Sequence, residues 1–126
     1  MKILVVDDSS VMRRILINSL KQIDLVDIDQ ADNGEDAVTK ALAGDYGLIL
    51  LDWHLPNMLG IDALKEIRAK GKTMPIIMVT TESEKPSVIQ ALRAGASNYV
   101  TKPFTSERVI EKIRETLTEI PPKAIP

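Results

Sequence analysis

Short apolar runs alternate five times along the chain with stretches of helical period, and this alternation constrains the fold more than any other feature. The predicted strands are residues 3–6, 25–29, 48–51, 75–79 and 98–101. Each is followed by a segment whose apolar residues recur three or four positions apart, which is typical of an amphipathic helix. Strands that alternate with helices predict an α/β fold, a parallel sheet with helices on both faces.

The polarity of the five runs indicates the order of the strands. The first, third and fourth runs are apolar throughout, as central strands of a parallel sheet are, whereas the second and fifth are half polar and suit the edges. The order 2-1-3-4-5 satisfies this pattern and defines the doubly wound, flavodoxin-like fold. In that order the winding reverses between strands one and three, and ligands bind beyond the carboxyl ends of the strands at this point.

Composition limits the domain count and the partners. A chain of 126 residues is expected to form one domain, here residues 1–120, with a flexible C-terminal tail at 121–126. A net charge of −2 and four aromatic residues argue against a nucleic-acid partner. The absence of cysteine excludes a thiolate nucleophile. No apolar run is long enough for a signal peptide or a membrane span, so we expect a cytoplasmic protein.

Three acids follow the two strands that flank the reversal. Asp7 and Asp8 come directly after the first apolar run, and Asp52 comes directly after the third. Since neighbouring strands lie about 4.8 Å apart, these carboxylates can share one cation. Crowded carboxylates repel one another, and Mg²⁺ takes carboxylates, waters and phosphate oxygens as ligands. The pattern therefore predicts a Mg²⁺ site, and capping of the first helix by the acid pair is the alternative.

A nucleophile, a hydroxyl and an amine complete the predicted site. Asp52 can attack phosphorus to form an aspartyl phosphate. Thr80 (or its neighbour Thr81) ends the fourth run and can donate to a phosphoryl oxygen, and the long amine of Lys102 can reach the same group. The Lys102–Pro103 bond is a candidate for a cis turn that fixes the amine. Taken singly, each residue has a structural alternative. Asp52 could cap a turn, Thr80 could simply end a strand, and Lys102 could be a surface lysine.

The remaining polar and aromatic residues near Asp52 carry weaker signals. His54 is the only histidine, and we expect an exposed side chain at the rim of the site rather than a catalytic base. Trp53 is expected at the rim as well. The chain has no GxGxxG motif and no P-loop, so nucleotide phosphates are not expected to bind in those ways.

Four motifs together resemble the receiver domain of two-component response regulators. They are Val5-Val6-Asp7-Asp8, Asp52 through Gly60, Thr80-Thr81-Glu82, and Tyr99 through Phe104. The resemblance covers residues 2–117 and is strongest to the stand-alone chemotaxis members, the CheY type. It implies that the flavodoxin-like fold above carries a receiver site.

The resemblance also implies roles for individual residues. Asp52 would be the phosphoacceptor, receiving its phosphoryl group from a phosphohistidine of a CheA-like sensor histidine kinase. Asp8 would bind Mg²⁺ directly and Asp7 through water, with Asp52 and the backbone carbonyl of His54 as further ligands. Lys102 would pair with the phosphoryl group and Thr80 would move toward it. Tyr99 would then swing inward, and the signal would reach the face built from the fourth helix, fifth strand and fifth helix.

The expected function is that of a monomeric phosphorylation switch. It is not an enzyme beyond its own phosphoryl transfer and autodephosphorylation. No output domain follows the receiver, so we expect it to act by binding another protein, with the flagellar motor switch as the leading target and a phosphatase as a further partner. His54 stands where chemotaxis members usually have Asn, and Thr81 where a smaller residue is frequent. These departures bear on the lifetime of the aspartyl phosphate.

Three alternatives remain open. Within the family, the chain could be a phosphorelay intermediate that passes the phosphoryl group to another histidine. Outside it, a haloacid-dehalogenase-like phosphatase also uses a strand-end Asp, but needs a second Asp where this chain has His54. A flavodoxin-like FMN carrier would need a Ser/Thr/Gly-rich loop after the first strand, where Asp7 and Asp8 would repel the phosphate.

Overall fold

The chain forms one parallel sheet with helices on both faces. The computed structural model describes residues 1–118. Its strands are β1 Lys2–Val6, β2 Asp27–Ala31, β3 Tyr46–Leu51, β4 Ile76–Thr80 and β5 Asn98–Thr101. Its helices are α1 Ser10–Lys21, α2 Gly34–Ala43, α3 Gly60–Ala69, α4 Lys85–Ala94 and α5 Ser106–Thr118. The strand order is β2-β1-β3-β4-β5, which confirms the predicted fold, whereas the predicted tail lies outside the described residues.

Two apolar cores hold the helices against the sheet. One packs the face of the sheet that carries Leu4 and Leu51 against α2, α3 and α4. The other packs the face that carries Ile3 and Leu50 against α1 and α5. Because side chains alternate along a strand, one apolar run supplies both cores. This is why residues 3–6, 48–51 and 76–79 of the three central strands are all apolar.

The parallel register brings the carboxyl ends of the strands to one edge. Val6 pairs with Leu51, and Thr80 pairs with Thr101. The ladder continues one step further, because the Asp52 N–H donates to the Val6 carbonyl at 3.1 Å. The first residues after neighbouring strands therefore lie side by side at this edge of the sheet.

Side-chain caps and a left-handed glycine set several helix ends. The Ser9 hydroxyl caps α1 by accepting a hydrogen bond from the Met12 N–H, and Asn33 caps α2 in the same way. Gly95 ends α4 with φ +113°, a conformation that glycine adopts without a steric penalty. None of the helices within residues 1–118 is both long and apolar enough to cross a membrane.

Two local predictions were wrong. Strand β2 spans Asp27–Ala31 rather than 25–29, because the Leu25 N–H donates to the Leu20 carbonyl and so belongs to the turn after α1. The spacing of Val11, Ile15, Leu16 and Leu20 in the sequence predicts one apolar face on α1, yet Val11 and Ile15 are 58% and 42% exposed. The buried stripe of α1 is instead Leu16, Ser19 and Leu20.

Candidate functional site

Three carboxylates meet at the edge of the sheet between β1 and β3. Oxygen atoms of Asp7, Asp8 and Asp52 all lie within 4.8 Å of one another. Asp7 and Asp52 are buried, whereas Asp8 is exposed to solvent. The structure thus brings together the three acids that the sequence predicted for one place, with one open side toward solvent.

The ammonium group of Lys102 lies between the two buried carboxylates. Its Nζ is 2.6 Å from Asp7 Oδ2 and 3.1 Å from Asp52 Oδ2. Lys102 follows β5, and its long side chain spans β4 to reach the acids, with only 12% of that side chain exposed. The surface-lysine alternative is therefore wrong. The Lys102–Pro103 peptide bond is cis, as the sequence indicated.

Burial and the opposite charges act against each other in this cluster. Burial raises the pKa of the Asp7 carboxyl, and the hydrogen bonds from Lys102 and the Ser9 N–H only partly offset this effect. Burial alone would lower the pKa of Lys102, but its hydrogen bond and charge interactions with Asp7 and Asp52 outweigh burial and raise the pKa. The amine stays charged, and the site holds more negative charge than one ammonium balances.

Backbone N–H groups and the Arg13 side chain hold the acids in place. The Ser9 N–H donates to Asp7 Oδ1 at 3.0 Å, and the His54 N–H donates to Asp52 Oδ1 at 3.4 Å. The Arg13 guanidinium donates to the Asp7 carbonyl at 2.8 Å. The helix cap itself is Ser9, so capping of α1 by the acid pair is not what the structure shows. Asp7 instead turns inward to Lys102.

The start of α3 packs directly on the backbone of Asp52. A Cβ placed on Gly60 would lie 1.7 Å from the Asp52 carbonyl oxygen, a separation that no side chain tolerates. The Gly60 N–H also donates to the Trp53 carbonyl at 2.7 Å. Glycine is therefore required here because two backbone segments approach closely. This contact fixes the position of α3 relative to the backbone of Asp52.

The donor set fits a hard divalent cation. Three carboxylates within 4.8 Å supply the oxygen ligands that Mg²⁺ prefers, and exposed Asp8 leaves room for water and phosphate oxygens. The acidic cluster is therefore compatible with Mg²⁺ binding.

Thr80 and Tyr99 both bond to the same residue, Glu82, in the loop after β4. The fully buried Thr80 hydroxyl accepts a hydrogen bond from the Glu82 N–H at 3.3 Å. The Tyr99 hydroxyl donates to the Glu82 carbonyl at 2.6 Å. Burial, together with the charges of Glu82 and Asp52, raises the pKa of Tyr99 to about 12. Thr81 points into solvent, so of the two threonines it is Thr80 that lies inside.

Glu82 belongs to the Thr80-Thr81-Glu82 motif, but no sequence pattern predicts its contacts. Its carboxylate lies 3.1 Å from the His54 ring and accepts a hydrogen bond from the Ser87 hydroxyl at 2.8 Å. Glu82 thus links the loops after β3 and β4 to the first turns of α4. Only proximity in the fold brings His54 to Glu82, since 28 residues separate them in sequence.

The two residues after Asp52 differ in their placement. The His54 side chain is 52% exposed, which confirms its predicted position at the rim. Trp53 was predicted at the rim as well, and this was wrong: it is only 9% exposed and packs in the core on the side of α2 and α3. In the loop after β3, therefore, Trp53 contributes to the core while His54 faces solvent.

A family model describes almost the whole of the chain. Residues 3–114 match the response regulator receiver domain. The chain is 46% identical over 120 residues to chemotaxis protein CheY1 of Helicobacter pylori, covering 93% of this chain and 97% of that protein. It is 39% identical over 122 residues to chemotaxis protein CheY of Pseudomonas aeruginosa, covering 95% and 98%. The chain belongs to the response regulator receiver domain family.

Solved structures agree with this assignment. The structure of chemotaxis protein CheY4 from Vibrio cholerae matches with a TM-score of 0.84 at 29% identity, over 92% of this chain and 98% of that one. A two-component response regulator from Clostridium difficile matches with a TM-score of 0.85 at 32% identity, over 93% and 95%. The protein is thus a CheY-like receiver, a signalling protein of the flavodoxin-like fold.

Proposed function

We propose that the chain is a phosphorylation switch and that Asp52 accepts the phosphoryl group. The observation that carries the proposal is the placement of Lys102 between Asp7 and Asp52 beside a third, exposed acid. This arrangement offers a nucleophilic oxygen and a fixed positive charge in one buried cleft. We assign the receiver to residues 1–120.

The proposed reaction transfers a phosphoryl group from a phosphohistidine of a sensor histidine kinase. A carboxylate oxygen of Asp52 attacks phosphorus, an O–P bond forms as the P–N bond breaks, and the imidazole takes up a proton. The Asp52 carboxylate is held for this attack by the His54 N–H on one oxygen and Lys102 on the other. Lys102 then serves as a point charge on the phosphoryl oxygens. A kinase of this kind places the reaction in the cytoplasm.

Mg²⁺ is the proposed cofactor. Asp7, Asp8 and Asp52 would hold it, with the backbone carbonyl of His54 as a further ligand. When bound, the ion offsets the charge that develops on the equatorial oxygens of the transferring group. The residues of the chain do the rest: they position the Asp52 oxygen, exclude bulk water from Asp7, and keep the Lys102 amine charged.

The proposed switch element is the loop after β4. A phosphoryl group adds close to two negative charges and three acceptor oxygens beside Asp52. The Thr80 hydroxyl would give up the hydrogen bond that it accepts from the Glu82 N–H and donate one to a phosphoryl oxygen instead. The loop would then lose one of the hydrogen bonds that hold it. Tyr99 is half-buried and bonded to the Glu82 carbonyl, so its inward swing would start from a partly inward position. Phosphorylation shifts populations by its different contacts with the two loop positions.

The proposed output surface is the face built from α4, β5 and α5. Leu92 on α4 is 47% exposed, and Tyr99 lies on β5. We propose that the monomer binds its target protein here. The relatives from Helicobacter pylori and Pseudomonas aeruginosa are both named chemotaxis proteins, which favours a role in chemotaxis and a flagellar motor switch as the target. A phosphatase that shortens the signal is a further proposed partner.

Acetyl phosphate tests the proposed acceptor without a kinase. The wild-type chain, incubated with acetyl phosphate and Mg²⁺, is expected to gain the mass of one phosphoryl group in intact-mass spectrometry. Asp52→Asn is expected to gain none. Asp45→Asn is the matched control, because Asp45 is an exposed acid before β3 rather than after it. An adduct on Asp52→Asn, or none on the wild type, would contradict the proposal.

A further inference from the structure

Arg13 of α1 lies beside the acidic cluster, yet it donates its hydrogen bonds to neutral groups. Its Nη1 donates to the Asp7 carbonyl at 2.8 Å, and its Nε donates to Gln30 Oε1 at 2.8 Å. Lys102, by contrast, contacts the carboxylates of two acids. The two cations therefore differ in what they do. Lys102 balances the charge of the acids, whereas Arg13 connects the turn after β1 to strand β2.

The peptide unit that Arg13 holds is the one that joins the two consecutive acids. The Asp7 carbonyl and the Asp8 N–H belong to one planar unit, so a fixed carbonyl fixes the direction in which the chain enters Asp8. Asp7 has further contacts, because its N–H donates to the Ala31 carbonyl at 3.2 Å and its carboxylate accepts from Lys102. The Asp8 carboxylate is exposed, and no group within residues 1–118 donates a hydrogen bond to it. Its direction therefore depends on the backbone that Arg13 holds.

Strand β2 is a firm anchor for the Arg13 side chain. Gln30 pairs with Val5 in the sheet, and its carbonyl accepts a hydrogen bond from the Lys40 ammonium of α2. Lys40 in turn pairs with Asp36 of the same helix at 3.2 Å. A planar guanidinium has several donors in a fixed geometry, so Arg13 can serve the Asp7 carbonyl and the anchored Gln30 amide at the same time.

We propose that Arg13 is a positioning residue for the Mg²⁺ site: it holds the peptide between Asp7 and Asp8 so that the Asp8 carboxylate faces the cation. The inference rests on the proposed function, in which Asp8 is one of the ligands of Mg²⁺. Groups that orient a metal ligand without touching the ion typically change metal affinity by about 10–100-fold.

The sign of the effect separates positioning from charge. Arg13 is a cation close to a cation site, so by charge alone its removal would strengthen Mg²⁺ binding. If Arg13 orients Asp8, its removal weakens binding instead. Arg14 is the matched control, because it is the next residue of α1, carries the same charge and is exposed.

The test is a titration of the isotope-labelled, unphosphorylated chain with Mg²⁺, followed by the amide resonances of residues 7–10 and 52. Arg13→Met is expected to raise the dissociation constant for Mg²⁺ on the order of tenfold. Arg14→Met is expected to leave this constant unchanged or to lower it. Gln30→Leu keeps both arginines but removes the anchor of Arg13, so it should weaken Mg²⁺ binding in the same direction as Arg13→Met and by less. Gln30 is exposed, so this variant decides the question if Arg13→Met does not fold.

Urea denaturation of the same variants separates positioning from general stabilisation. An Arg13 that only stabilises the fold would lower the unfolding midpoint of Arg13→Met and leave the Mg²⁺ affinity of the folded chain unchanged, which would overturn the inference. Tighter Mg²⁺ binding by Arg13→Met, or unchanged binding by Gln30→Leu, would overturn it as well. The proposed cofactor fails separately: a wild-type chain without Mg²⁺-dependent shifts at the acids would contradict both proposals, whereas these other results contradict the role of Arg13 alone.

Discussion

Replacement of Lys102 by methionine should show how strongly repulsion between the carboxylates of the site destabilises the folded chain. Methionine is an unbranched side chain of comparable length without the ammonium group. In the wild type that group lies 2.6 Å from Asp7 and 3.1 Å from Asp52, whose side chains are 1% and 7% exposed. The variant leaves the two carboxylates facing each other with no positive partner from the chain.

The cost can be worked from these distances. Carboxylate oxygens within 4.8 Å of one another repel with about 3 kcal/mol at an effective dielectric constant near 20. Removal of one member of a buried ion pair typically costs about 3–5 kcal/mol. We therefore expect Lys102→Met to lower the free energy of unfolding by about 3 kcal/mol at neutral pH without Mg²⁺. The loss should shrink at acidic pH, because burial raises the pKa of the Asp7 carboxyl, and once Asp7 is protonated it no longer repels its neighbour.

Urea denaturation followed by Trp53 fluorescence measures this loss, since Trp53 is buried in the folded chain. Saturating Mg²⁺ should restore stability to the variant, by about 2.7 kcal/mol at a hundredfold excess over its dissociation constant. The control Lys70→Met removes an exposed lysine and should stay within about 0.5 kcal/mol of the wild type. Adding Asp7→Asn to Lys102→Met should recover much of the loss, because one of the two opposed charges is gone.

Two results would refute this reasoning. The first is unfolding of Lys102→Met at the same urea concentration as the wild type in metal-free buffer, which would mean that the amine does not balance the acids. Alternatively, the double variant with Asp7→Asn could lose as much stability as the single variant. The cost would then come from packing of the lysine stem rather than from charge.

Two further predictions concern the backbone at Asp52 and the tyrosines. Gly60→Ala should destabilise the chain by about 3 kcal/mol or more, because the new Cβ would lie 1.7 Å from the Asp52 carbonyl oxygen. Urea denaturation measures this loss. An unchanged midpoint would contradict the prediction and show that α3 can shift. Burial raises the pKa of Tyr46 and Tyr99 from 10.0 to about 12. Their contribution to stability is thus complete below pH 10 and lost as the pH rises through about 12. Absorbance titration of tyrosinate should show both groups ionising well above pH 10 in the folded chain, and ionisation near 10 would contradict their burial.

The sequence predicted the sheet well where one physical effect dominated. Apolar runs such as 48–51 can only be buried on both faces, so the central strands and their order followed from polarity alone. Given that order, the acids that follow those strands necessarily lie close together at one edge of the sheet, as Asp7 and Asp52 do. Cap residues such as Ser9 and Asn33 are predictable from sequence in principle, because Ser and Asn are preferred just before a helix and their capping hydrogen bonds are local.

The sequence failed where two local patterns competed or where a contact was distant. Leu25 is as apolar as a strand residue, yet the turn after α1 takes its N–H, which moves β2 by two positions. Val11 and Ile15 fit a helical stripe but face solvent, since only contact with the sheet decides which stripe is buried. His54 and Glu82 lie in two loops, 28 residues apart in sequence, and no local sequence pattern predicts their contact.

Reductive trapping of the phosphorylated chain tests the central claim most directly. After incubation with acetyl phosphate and Mg²⁺, borohydride converts an aspartyl phosphate to homoserine, and peptide sequencing by mass spectrometry locates the change. We predict homoserine at position 52 alone, because the proposed function makes Asp52, held by the His54 N–H and Lys102, the acceptor and gives Asp7 and Asp8 to the metal. Homoserine at position 7 or 8, or at none of the three acids, would contradict the assignment of Asp52 as the phosphoacceptor.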